Sequence, residues 1–389
     1  MTIQLLVTDR NLNFLGDPLD GWTKLACDLN FNAPASGSLT LPARPQYVEL
    51  LQPGNRLVII RDEAIWCAGP LEEPQNFTWD LSTNAGYGTI TANFTDDLAR
   101  VAGYVTYPQP DYEFTDQITA VNFTRDINTT NAEVIIRTLV DENCGPGALT
   151  ARQIERLVLD DVAGVGGTRT ISTRFEALLD VCRTAAATDG LGFRTRQVGD
   201  EIRFGVYAPA DRTGTARFSA GLGNLRSVGF TLGAPLATSE LVMGGNDPAE
   251  AATPPNTRVY VEVDATTDWY RVEKLIDMTG TEDDSKGQLT QAGVFAQGDD
   301  GPQASLATVT IDTADLKAGR DYGLGDKVTV VLPTGLQVAD IVQTIRLEAT
   351  PKDGEVVTSV IGNSDKTTSS AMVRLVRDLD RRLGRLEAR

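Results

Sequence analysis

The chain contains no histidine in 389 residues. That absence removes Ser-His-Asp and Cys-His nucleophilic catalysis, histidine-ligated zinc and any imidazole general base. Paired carboxylates remain as the main acid–base chemistry open to an enzyme. Cysteine is scarce too: Cys27, Cys67, Cys144 and Cys182 form no CxxC pair and show no metal-ligand spacing. Cys67 and Cys182 fall within apolar rhythm and read as small core residues, and folding in a reducing cytoplasm is the simplest account. No apolar run approaches the ~18 residues of a spanning helix, so no membrane insertion by this chain is expected. The opening Met1–Val7 lacks the basic and apolar regions of a signal peptide and reads as a first strand. Positive charge is in deficit, with 35 Lys and Arg against 53 Asp and Glu, a net of −18. Such a surface opposes nucleic-acid binding driven by counterion release.

What the chain does contain is a β-unit written twice, 271 residues apart. Leu57, Ile59, Ile60, Ile65, Cys67 and Leu71 recur without a gap as Val328, Val330, Val331, Leu336, Val338 and Val342. Each copy opens on a turn, Pro53-Gly54-Asn55-Arg56 in one and Leu324-Gly325-Asp326-Lys327 in the other. Each then runs an apolar strand into a polar or Gly break and a second strand. Leu57, Ile59, Ile65, Val328, Val330 and Leu336 are the expected core of the repeat. Generic strand-and-turn grammar is the competing account, but an internal repeat governs the fold and takes precedence over local motifs.

The length suggests two to three domains. Residues 1–105 carry short strands between Gly, Pro, Asn and Asp turns and suit a small β-barrel or sandwich. Residues 106–222 read as an inserted α/β domain. One helix runs over 132–143, capped by Asn128–Asn131 and stopped at Cys144-Gly145-Pro146; a second runs over 173–188 and leads to a hairpin turned at Gly199-Asp200. Residues 223–365 return to β character, with a subdomain insert and one short helix over 288–297, and form the second barrel. Residues 366–389 read as a C-terminal amphipathic helix in which Met372, Val376, Leu379, Leu383 and Leu386 repeat every 3.5 residues. The fold class is therefore mainly β with an α+β insert: two similar small barrels, the inserted domain and the terminal helix. Two heptads broken by Gly384 are too few to associate alone. The helix either docks on its own domain or joins symmetry mates and the next protein of an assembly; the second is favoured, making its five apolar residues an oligomer or partner interface.

Several weaker signals can be set against plain structural readings. Gly164-Val165-Gly166-Gly167-Thr168 lacks the Walker lysine and reads as a loop, not a phosphate site. Glu72-Glu73, Asp96-Asp97, Asp160-Asp161, Glu282-Asp283-Asp284 and Asp299-Asp300 offer carboxylate pairs of the kind a glycosidase needs. With 53 acidic residues, solvated turns explain them as well. Trp22, Trp66, Trp79 and Trp269 suit packing or an interface better than a sugar platform. No catalytic residue, metal ligand or cofactor site is expected.

One stretch resembles a known family. Phe31-Asn32-Ala33-Pro34-Ala35-Ser36-Gly37-Ser38-Leu39-Thr40-Leu41-Pro42 is followed by Leu50-Leu51-Gln52-Pro53-Gly54-Asn55-Arg56-Leu57-Val58-Ile59-Ile60-Arg61-Asp62 and the exit Gly69-Pro70-Leu71. This is similar to the N-terminal barrel of the tail hub, or minor tail, proteins of siphophages that infect actinobacteria. Asp321-Tyr322-Gly323-Leu324-Gly325-Asp326-Lys327-Val328-Thr329-Val330 resembles an element near the C-terminal end of the same family. The resemblance implies the fold of the baseplate hub of contractile phages, in which two similar barrels alternate around a trimeric ring. Three chains with two barrels each would form a pseudo-sixfold ring that mates with a hexameric distal tail or tube protein. The opposite face would be threefold and meet tip or fibre proteins, with the tape measure protein as a further partner. DNA would pass through the channel without specific binding. The chain would be a virion structural protein of the tail tip, assembled in the host bacterial cytoplasm, and not an enzyme. It ends without the long extension that carries lytic or receptor-binding modules in some relatives. The alternatives are a tail-associated cell-wall glycosidase using paired carboxylates, or a carbohydrate- or receptor-binding tail module.

Overall fold

The structure is a computed structural model and describes residues 3–72, 76–79, 86, 88–119, 124–245, 258–267, 269–278, 287–301 and 303–362. The architecture is mainly β with few helices. The chain divides into two compact units, each assembled from separate stretches. The first comprises Met1–Ala216, Ile311–Lys327 and Val342–Ser359; the second comprises Arg217–Thr310, Val328–Ile341 and Val360–Arg389.

In the first unit, strand Arg56–Arg61 lies antiparallel between Ile3–Thr8 and Ala64–Pro70. A second sheet is centred on Lys24–Asn30 and Ala33–Pro42, which pair with each other. Lys24–Asn30 also pairs with Thr344–Ala349 of the strand Gln337–Thr350, while Ala33–Pro42 pairs with Thr89–Thr95. The two sheets approach at Gly69, where a Cβ atom would stand 2.2 Å from the Thr95 carbonyl. No larger residue fits that crossing. Leu5, Leu25, Leu39, Ile59 and Phe94 fill the interior.

The α/β part of this unit is built on helices Ala132–Cys144 and Leu178–Ala187. Asn131 caps the first by accepting a hydrogen bond from the Glu133 amide. Ile135, Ile136, Leu139 and Val140 are fully buried along one stripe, as the periodicity predicts. The second helix begins five residues later than expected, because 168–173 is a strand and Phe175 takes a positive φ of 51°. The hairpin Gly192–Val198 with Glu201–Tyr207 turns at Gly199, as expected, and its Phe193 and Phe204 rings stack 6.1 Å apart. One core joins these elements and also takes in Leu12, Leu98 and Val101 from the N-terminal β region.

In the second unit, Leu225–Gly233 pairs antiparallel with Gln303–Thr310, and Arg217–Ser219 runs parallel to Thr329–Val331. Strand Ser239–Gly244 is flanked by Val259–Asp264, antiparallel, and Glu273–Asp277, parallel. Helix Gln288–Asp300 covers one face of this small sheet. Gly293 lets the helix come close: a Cβ there would lie 2.5 Å from the Val263 side chain.

Among the described residues the expected barrels do not close. Among the described residues the first sheet ends on Ile3–Thr8 and Ala64–Pro70, and an isolated bridge, Leu71 to Phe94, links its rim to the second sheet. Alternating apolar residues determine which face of a strand is buried, but not which edges join.

Candidate assembly site

The two copies of the repeat share their opening turn, two amide bonds and their inward residues. Gly54 and Gly325 open them with φ of 89° and 81°, a left-handed conformation that favours glycine. The Asn55 amide donates to the Gln52 carbonyl at 3.1 Å, and the corresponding Asp326 amide donates to Gly323 at 3.2 Å. The Leu71 amide donates to the Asn55 carbonyl at 3.0 Å; its counterpart, the Val342 amide, donates to Asp326 at 3.0 Å. Leu57, Ile59, Val328 and Val330 are all buried.

Two residues expected in this core lie outside it: Ile65 is 40% and Leu336 50% exposed. A register shift between Ile59 and Ile60 sets Ile65 opposite Ile60, on the outward side of the hairpin. Leu336 closes the loop at the tip of the second hairpin, accepting from the Leu332 amide. The copies are thus equivalent even in where the expectation fails. Met372, Val376, Leu379, Leu383 and Leu386 lie outside the described residues.

Around each copy, charged side chains act as internal ties. Arg56 and Asp97 form a bidentate pair at 3.0 and 2.7 Å, both 2% exposed, and Arg56 also donates to the Gln197 side chain at 3.1 Å. Burial lowers the guanidinium's proton affinity and raises that of Asp97, and the mutual charge opposes both shifts. At the other end of the hairpin, buried Arg61 stacks 4.8 Å from the Trp66 ring and reaches Glu355 at 3.0 Å. In the second copy Asp326 accepts from the Ala210 amide at 2.7 Å and the Gly323 amide at 2.9 Å. The aspartate of the Leu-Gly-Asp element therefore holds a loop. Tyr322 of the same element donates to Asp312 and shares a hydrogen bond with Ser359, each at 2.9 Å.

Among the described residues, one carboxylate of each of the pairs 96–97, 160–161 and 299–300 is tied to a cation. Asp97 is spent on Arg56, and neighbouring Asp96 is pushed up to about 7, chiefly by burial. Asp160 pairs with Arg196 at 2.5 Å while Asp161 is exposed. Asp300 is tied to Lys274 beside Glu240, a buried carboxyl raised to about 7 by burial and by the Asp300 charge. Glu73 and Glu282-Asp283-Asp284 lie outside the described residues, as does the Asp299 side chain. The Gly164–Thr168 loop does cradle an anion, but the anion is internal. Ala163 and Val165 amides donate to buried Glu133 at 2.7 and 2.9 Å, and the Gly167 amide donates to Asp189 at 2.8 Å. All four cysteines are buried and unbridged, which matches the reading of Cys67 and Cys182 as core residues and adds Cys27 and Cys144. Among the described residues no three potential metal ligands cluster, and no helix is long and apolar enough to cross a membrane.

A trough of about 400 Å³ crosses the second sheet of the first unit. Ala26, Ser36, Gly37 and Ser38 floor it, and Glu72, Glu348 and the Arg346–Asp28 pair line it. In the second unit, the sheet face opposite helix Gln288–Asp300 presents Tyr260 and Leu275, 70% and 62% exposed. The sequence did not point to either surface: the trough joins strands distant in the chain, and the open face depends on how three successive strands pair.

Residues 3–363 match the family described as Siphovirus ReqiPepy6 Gp37-like protein. The chain belongs to that family. None of the curated proteins matches it. Among solved structures it is similar to the 43 kDa tail protein of prophage MuSo2 from Shewanella oneidensis, at 11% identity and a TM-score of 0.58, covering 93% of this chain and 99% of that one. It is also similar to the prophage tail protein gp18 from Listeria monocytogenes EGD-e, at 10% identity and a TM-score of 0.55, covering 97% and 99%. The tail protein from Neisseria meningitidis MC58 matches at 12% identity and a TM-score of 0.53, covering 93% and 96%. The family member thus has the fold of phage tail proteins, in line with the resemblance found in its sequence.

Proposed function

We propose that this siphovirus family member is a structural hub of the tail tip, working by geometry and without catalysis. Three copies form a ring, and the two equivalent hairpins of each copy give it six similar elements. One side of the ring mates with the hexameric distal tail or tube protein, and the other, truly threefold, meets the tip or fibre proteins. The tape measure protein and the DNA pass through the middle. In this reading residues 1–105 and 223–365 are the two hub domains, residues 106–222 brace the ring, and residues 366–389 contact other chains through Met372, Val376, Leu379, Leu383 and Leu386. The protein belongs to the virion, assembled in the host cytoplasm. A net charge of −18 suits a channel wall that lets DNA slide without phosphate contacts.

The observation that supports this reading best is the paired geometry of the hairpins, down to matching turn glycines and matching amide bonds. Similarity at that level has a use when an odd number of chains must meet an even-numbered partner. The carboxylate ties around the hairpins favour a structural role over a glycosidase. Zymography of the purified protein on host peptidoglycan tests that choice. A hub gives no clearing, whereas lysis abolished by one Asp or Glu substitution would establish the enzyme.

A further inference from the structure

The small sheet of the second unit has one covered face and one open face. Helix Gln288–Asp300 packs over the side carrying Val242 and Val263. On the other side the register sets Tyr260, Met243 and Asp277 in one row and Glu262, Leu241 and Leu275 in the next. Asp264, Ser239 and Glu273 form the third. Tyr260 and Leu275 are 70% and 62% exposed and stand in neighbouring rows with Met243 and Leu241, so an apolar strip runs across the open face. Its border is acidic. Arg271 sits among Glu262, Asp264 and Glu273, touching all three and neutralising one charge.

The chain holds a segment of matching character. Residues 366–389 carry seven basic and three acidic side chains, an excess of four positive charges in a chain whose total is −18. Their apolar seam, Met372 to Leu386, would span about 21 Å as a helix at 1.5 Å per residue. Strand Val259–Asp264 extends about 20 Å over its six residues, and three strands are about as wide as a helix. Two heptads interrupted by Gly384 are too few to associate alone, so the seam needs an apolar acceptor.

We infer that the open face of the sheet Ser239–Gly244, Val259–Asp264 and Glu273–Asp277 receives the C-terminal segment 366–389 of a neighbouring copy. The seam covers Tyr260, Leu241 and Leu275, and the flanking arginines meet Glu262, Asp264 and Glu273. This rests on the ring reading above and supplies the acceptor for the seam residues.

The test uses the full chain. Tyr260→Cys and Leu379→Cys copies are mixed and treated with a short bis-maleimide, and the particle mass is measured in the same sample. The native cysteines are buried. The expected result is a covalent two-chain product joined from 260 to 379, absent from either variant alone. Leu275→Glu, or the milder Tyr260→Ser in an equivalent 275-to-379 pairing, should cut the yield at least tenfold. Three-chain particles lacking the 260–379 link would overturn the docking and leave the ring standing. A link found only within one chain when Tyr260→Cys and Leu379→Cys are combined in the same copy would also overturn it, in favour of the chain's own tail. A monomer at every concentration would contradict both the docking and the ring.

Discussion

Positions 56 and 327 occupy the same place in the two hairpins, yet their side chains have opposite surroundings. Arg56 is buried and locked to Asp97 and Gln197, whereas Lys327 is exposed. The strands beside them differ as well. Arg56–Arg61 has an antiparallel neighbour paired over six residues, and Lys327–Val331 has a parallel neighbour paired over three. The hairpin itself is what repeats: its glycine turn, its amide bonds and its two inward residues. The surroundings were free to diverge, because a hairpin needs only its turn and its inner face to keep its shape.

That contrast can be broken most sharply at its charged position. Arg56→Ala would leave Asp97 buried without its cation and should cost about 3–5 kcal/mol, read by denaturant unfolding of the purified chain. Lys327→Ala should stay within about 0.5 kcal/mol, as for exposed sites in general. Equal losses at the two sites would erase the distinction.

The inner faces come next. Ile59→Ala should cost about 2–5 kcal/mol. Ile65→Ser and Leu336→Ser, on the outward sides, should each change stability by about 0.5 kcal/mol or less. A large loss at either exposed position would mean that it is covered in the isolated protein.

The turn glycines sharpen the comparison further. Gly54 has open space around it, so Gly54→Ala should carry only the left-handed backbone cost of about 1–2 kcal/mol. At Gly325 a Cβ would also stand 2.3 Å from the Phe31 ring. Gly325→Ala should therefore lose about 1–3 kcal/mol more through overpacking.

The two units also share a dependence on pH. Asp96 in the first unit and Glu240 in the second are both raised to about 7, from ordinary values of 3.8 and 4.5. The folded chain then holds protons that the unfolded chain has released. These two groups make stability fall as pH rises from about 4 towards about 7. Asp96→Asn and Glu240→Gln should each flatten that slope in thermal unfolding, whereas an unchanged slope would mean that neither carboxyl is shifted.

The repeat was legible from the sequence because its inward residues and turns survive at a fixed spacing, and the helix over 132–144 was legible from its cap and apolar stripe. The positions of Ile65 and Leu336 were not legible. One depends on a register shift and the other on how a loop closes, and neither leaves a mark in apolar alternation. The tie from Arg56 to Asp97 was hidden for another reason. Asp96-Asp97 looks like a solvated turn until the fold brings a cation from 41 residues away. Barrel closure also escaped, since it depends on edge pairing between strands far apart in the chain. The filled Gly164–Thr168 loop shows the same limit, because its internal anion Glu133 comes from the preceding helix.

The central claim is that two equivalent hairpins per chain let three chains meet a sixfold partner. The mass of the particle that the full-length chain forms with the distal end of the tail tube tests it most directly. The account predicts three copies of this chain per hexameric tube end. Six copies, or a single copy that never forms a ring, would contradict it.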